Sequence, residues 1–253
     1  MMTAKRELGP GTHAVIARVV WFASALFLCT LSANASEIIF ATAPGALNGT
    51  RPVSIQAIFD LSPNSIKVTV TNYQDNPTDV TQGLSGLAFQ PTGQGLNIVQ
   101  PKLDSSNSAQ IYIEKNGTHT DPVPVSSTSW ALSTSGVPGG LPLAVCRLCA
   151  AGADQLLLGN WGPNGLYSNA NGSIGNDAHN PFLYRTATFT ITGIQNASGI
   201  NSVIFSFGTS VGQDIPGYGS YTVPEPASLA LMFGGLVAVL AVVRFSRGSY
   251  RSA

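Results

Sequence analysis

The residues best suited to chemistry fall in four places. Cys146-Arg147-Leu148-Cys149 forms a C-x-x-C pair. In an oxidising compartment such a pair is expected to close a local disulfide. Free thiols or a crosslink to a partner are the first alternative, and a redox or metal role is the second. Redox chemistry would want a strand-to-helix context, and zinc would need two further ligands; His119 and His179 are scattered, with no second C-x-x-C. Gly208-Thr209-Ser210-Val211-Gly212 fits the G-x-S-x-G pattern, but a nucleophile elbow needs a following helix, then an acid and a histidine. Gln213-Asp214-Ile215-Pro216-Gly217 is no helix, and no histidine follows Ser210. The match reads as chance in a Gly/Ser-rich chain. Asp177 and His179 could form a ligand pair or half of an acid–base device, and Asp75 and Asp79 could offer carboxylates to Ca²⁺. Each reads first as a turn or solvated loop. With no P-loop or dinucleotide fingerprint, no catalytic residue, metal ligand or cofactor is assigned.

The elements that would have to position these residues are strands. In 65–72 Ile66, Val68 and Val70 alternate with polar neighbours; in 185–193 Ala187, Phe189 and Ile191 alternate with threonines; in 202–208 Val203, Phe205 and Phe207 share one side. Period-two runs bounded by Gly, Pro, Asn or Asp predict short strands joined by turns. Further runs start at Glu37, Val53, Leu84, Gly95 and Gln110. No stretch between 36 and 222 holds a helical period over three turns. The expectation is an all-β fold, a β-sandwich domain over 36–222. The Pro/Ser/Thr/Gly-rich stretch 121–140, which contains Trp130, reads as a long surface loop, and 160–181 as a second loop.

Charge is segregated although the net is zero: +2 over 1–35, −4 over 36–222 and +2 over 223–253. A mildly acidic middle disfavours nucleic acid as a partner, because phosphate binding needs a concentrated basic patch. At the N-terminus Lys5, Arg6 and Arg18 precede an apolar run over 19–31 and then Ser32-Ala33-Asn34-Ala35. Basic residues, a short apolar helix and small residues at Ala33 and Ala35 predict a signal peptide over 1–35, cut by signal peptidase after Ala35.

The other end carries an anchor. Residues 227–243 hold no charge in 17 positions. As a helix they would reach about 25 Å, the short end of what crosses a hydrocarbon core. Arg244, Arg247 and Arg251 follow in a basic tail over 244–253 and mark the cytoplasmic side by the positive-inside rule. The predicted domain is thus flanked by a signal-peptide helix and a transmembrane helix. Before the span stand Val223, Pro224, Glu225 and Pro226. Two prolines fix φ and hold their predecessors extended, making a stiff handle of the shape a protease or transpeptidase grips.

Val223-Pro224-Glu225-Pro226-Ala227, an apolar span and an arginine tail together resemble the PEP-CTERM sorting signal of Gram-negative bacteria, here over 223–253. The resemblance implies an inner-membrane intermediate, processing by exosortase, and transfer to the cell surface or extracellular matrix. The runs within 55–89 and 180–210 also resemble, more loosely, ectodomains common among such proteins. The leading expectation is a non-enzymatic surface or matrix protein, structural or adhesive in exopolysaccharide or biofilm. A carbohydrate-binding module, using Trp130, Trp161, Tyr167 and Tyr218 as stacking aromatics, is the alternative. An extracellular hydrolase comes third, since it would need carboxylates or a triad converging on a cleft.

Overall fold

The alternating segments pair almost entirely antiparallel. The computed structural model describes residues 37–223. Its strands are β1 (Glu37–Ala41), β2 (Leu47–Asn48), β3 (Arg51–Pro52), β4 (Ile55–Ser62), β5 (Ser65–Asn72), β6 (Leu84–Thr92), β7 (Asn97–Ile111) and β8 (Val123–Val125). There follow β9 (Ala131–Ser133), β10 (Leu143–Cys146), β11 (Leu157–Leu158), β12 (Phe182–Gln195), β13 (Gly199–Phe207), β14 (Asp214–Pro216) and β15 (Tyr218–Val223). Helix among the described residues is confined to single 3₁₀ turns, and none is long and apolar enough to cross a membrane. The domain is all-β.

Thirteen strands form one hydrogen-bonded sheet in the order β14-β13-β6-β11-β12-β5-β4-β1-β15. Off this path, β10 lies on β6 with β9 beyond it, and β7 lies on β12 with β8 beyond it. The two-residue strand β11 stitches the halves together, with Leu157 facing both Leu84 of β6 and Leu183 of β12. The two ends of the path, β14 and β15, are consecutive in the chain with Gly217 alone between them. The sheet therefore folds back until its ends meet, and the Gly217 N–H donates to the Val203 carbonyl at 2.8 Å as the chain crosses.

Alternation decides what is buried. Ile66, Val68 and Val70 of β5, Phe59 of β4, Phe189 and Ile191 of β12, and Phe205 and Phe207 of β13 are all sealed from solvent. Phe59 meets Phe89 of β6 at 5.2 Å, so residues from both halves fill one core. Asn72, also buried, fastens the end of β5. Its amide donates to the carbonyls of Gln82 and Leu157 at 3.1 and 2.9 Å, while its oxygen accepts from the Gln74 N–H.

The stretch 121–140 departs from the expected loop. It contributes β8 and β9, and Trp130 is 4% exposed with its indole N–H donating to the Gln155 carbonyl at 2.8 Å. The ring packs on Phe189 at 5.0 Å. A large apolar ring with one satisfied donor is worth more buried than wet. Residues 160–181 are turns, with one 3₁₀ turn at Ala170–Gly172.

Candidate functional site

The strand leading into the proline handle is held at the end of the sheet. β15 runs antiparallel to β1, with Glu37 opposite Val223, Ile38 opposite Thr222 and Ile39 opposite Tyr221. Val223 is the last residue of the sheet, and Pro224, which follows it, has no N–H with which to continue a ladder. Pro224, Glu225 and Pro226 lie outside the described residues. So do Ala33 and Ala35, the 227–243 span, and Arg244, Arg247 and Arg251.

Cys146 and Cys149 are joined to each other, with Cα atoms 5.3 Å apart. Cys146 ends β10 and Cys149 lies in the 3₁₀ turn Leu148–Ala150. Between them Arg147 is nearly buried, and its guanidinium donates to the Asp154 carboxylate, 3.1 Å from Nε, and to the Ala150 carbonyl. The loop is closed twice, once covalently and once by an ion pair.

The other chemistry-bearing residues are exposed in turns or bonded within the loops that carry them. Ser210 sits in an exposed turn that leads into β14, so nothing like an elbow surrounds it. Asp79 caps the 3₁₀ turn Val80–Gln82, accepting from the Thr81 N–H and hydroxyl at 2.9 and 2.8 Å. Asp75 is exposed. The Asp177 carboxylate accepts from the Tyr112 hydroxyl, which holds that phenol above its ordinary pKa. His179 bonds through Nδ1 to the Ser173 carbonyl at 2.9 Å rather than to Asp177. Asp177 also lines an open polar depression of about 560 Å³ with Glu114, Lys115, Asn116 and Gly175. Among the described residues no three His, Cys, Asp or Glu side chains gather as a metal site would require.

The aromatics proposed for sugar stacking divide. Trp130 is buried, and so is Tyr167, which is 1% exposed and donates to the Gly159 carbonyl at 3.0 Å. Burial raises the Tyr167 phenol well above its usual pKa. Trp161 is half-buried and stacks on His119 at 4.0 Å and on Tyr184 at 4.9 Å, with all rings nearly parallel. Its π-surface is already engaged by these neighbours. Tyr218 is exposed.

Two positions carry structural weight that no local pattern in the chain reveals. The Asn180 side chain pairs with Ile113 as a strand would, accepting from its N–H at 2.8 Å and donating to its carbonyl at 3.0 Å. Gly117, at φ +87°, turns the 112–120 hairpin where a Cβ would strike the Tyr167 carbonyl.

An all-β domain whose final strand runs without a spacer into a Pro-Glu-Pro handle has the makings of an exported cargo with a sorting tail. Residues 222–247 match the PEP-CTERM protein-sorting motif, and the match opens inside β15. The chain thus carries the signal of an exosortase-sorted, exported protein with a transiently membrane-anchored C-terminus. No curated protein and no solved structure matches it.

Proposed function

We propose that this is a non-enzymatic component of the cell surface or extracellular matrix, structural or adhesive within exopolysaccharide or biofilm. The observation that carries the proposal is the continuity between cargo and signal: β15 ends at Val223 and the handle begins at Pro224. The β domain is then the delivered part, and the tail is the part consumed in delivery. Signal peptidase acts after Ala35, two residues before β1, and exosortase acts at the other end of the same seam. A non-enzymatic role is further supported by the tasks of Asp79, His179 and Arg147, each of which braces its own loop, and of Asp177, which ties its loop to Tyr112. For the architecture we favour two facing layers of a β-sandwich within one continuous sheet. The Phe59–Phe89 contact, made between the two halves, supports it.

Fractionation of the host with and without active exosortase tests the proposal. The protein is expected in the matrix fraction of the wild type and in the membrane fraction of the exosortase mutant. The same distribution in both strains would overturn it. Loss of the protein should also lower the shear at which a biofilm sheds, whereas unchanged cohesion would count against a structural role.

A further inference from the structure

We propose that the solvent face of the β4–β5–β12–β7 layer binds a neutral, hydroxyl-rich polysaccharide; the inference rests on the matrix role above. Registers fix which side chains share that face. Ile58 of β4 lies opposite Thr69 of β5, Thr69 opposite Thr188 of β12, and Thr188 opposite Asn107 of β7. The next row runs from Gln56 through Thr71 to Thr186. Val68, Val70, Ala187 and Phe189, one residue out of phase, face the core, so these threonines face water.

Their hydroxyls are paired across the strands. Thr69 Oγ1 lies 3.3 Å from Thr188 Oγ1, and Thr71 Oγ1 lies 3.2 Å from Thr186 Oγ1. Each hydroxyl has one donor and two lone pairs, and a pair spends one donor between its members. Every pair therefore keeps one O–H and several lone pairs for an incoming partner. β-branched side chains in a sheet are also stiff at χ1, so little side-chain freedom is lost on binding.

The face also carries little net charge. Asp60 and Lys67 meet at 2.9 Å and Lys102 and Asp104 of β7 at 3.4 Å, so each pair cancels, and Arg185 of β12 is exposed beside Thr186. Soluble surfaces usually carry about a quarter to a third charged residues, so a hydroxyl and amide array that holds its charges to two ion pairs and one arginine is sparsely charged for a sheet face in water. It offers an acidic polymer one exposed arginine at its margin and offers a neutral one a lattice of donors and acceptors. At the edge of the array Tyr73, 49% exposed, donates to Gln56 Oε1 at 3.3 Å, leaving its ring to lie against the apolar face of a sugar.

The test uses protein recovered from the host culture and the host's own matrix polysaccharide, split by anion exchange into neutral and acidic pools. Retardation in gels containing each pool is compared for the wild type and for the double variants Thr69→Val/Thr188→Val and Thr71→Val/Thr186→Val. Valine keeps the branched stem and removes only the hydroxyl, and thermal unfolding verifies that each variant is folded. The expected result is retention by the neutral pool, weakened roughly tenfold in each variant, as loss of one or two net hydrogen bonds implies. The binding face is overturned by no retention on the neutral pool, retention on the acidic pool alone, or equal retention of the wild type and both variants. A change in oligomeric state with unaltered retention overturns it in favour of self-association. If the face fails while the protein still fractionates with the matrix, the matrix role stands; if the protein is absent from that fraction, both fall.

Discussion

Glu37 and Val223 are antiparallel partners, so the first and last strand residues of the domain lie side by side. Both processing events proposed for the chain would therefore act next to the same strand pair. β15 has β1 as its paired neighbour and joins the two ends of the folded sheet through Gly217. The strand attached to the sorting signal is also the strand that closes the fold.

Removing that strand should unfasten the domain. A chain over 36–217 is expected to melt at a lower temperature than one over 36–223 and to aggregate, because β1 would present an unpaired edge. Thermal unfolding and light scattering compare the two. Equal melting temperatures would show that β15 is dispensable to the fold.

Among the described residues two hydroxyls are buried without a partner, Ser85 Oγ and Thr192 Oγ1. Removing an unsatisfied polar group from a core recovers its desolvation cost. Ser85→Ala is expected to stabilise the domain by about 1 kcal/mol, or roughly 2–4 °C in Tm for a domain of this size. Calorimetry reads the change, and a lower Tm would show that the hydroxyl has a partner in solution.

Asp154 balances the nearly buried Arg147 inside the cysteine loop. Asp154→Ala leaves that guanidinium uncompensated and should cost about 2 kcal/mol, the scale of a hydrogen bond to a charged group. Urea unfolding of the oxidised protein measures it. A cost near zero would mean that the covalent closure alone holds the loop.

Tyr167 links stability to alkaline pH. Burial raises its folded pKa, while an unfolded tyrosine ionises near 10. Its stabilising contribution is complete below about pH 10 and is lost as pH climbs from there toward the folded value. Tyr167→Phe should lower stability at pH 8, by losing the bond to Gly159, yet flatten the fall above pH 10. An unchanged alkaline slope would place the ionisation elsewhere.

Much of the fold is legible in local pattern. Period-two alternation places Val68, Phe189 and Phe205 inward, and each is buried. What alternation cannot supply is partner order. Nothing in the sequence says that β14 and β15, one residue apart, join opposite ends of the sheet. Trp130 and Tyr167 resemble exposed loop aromatics because they stand in stretches rich in Ser, Gly, Pro and Asn. Their burial rests on Phe189 and Gln155 for the first and Gly159 for the second, contacts that only the folded chain creates. The threonines of β5 and β12 are visible as strand formers, whereas their pairing across 115 or more positions is not. The sorting handle was readable because its chemistry is contiguous: two prolines, an acid, an apolar span and arginines in one stretch.

The most direct test is mass spectrometry of both ends of the protein recovered from the host's extracellular matrix. A chain that begins at Ser36, retains the sequence through Val223 and lacks 227–253 is the predicted result. A matrix-borne chain still extending to Ala253, or one cut before Tyr218, would contradict it.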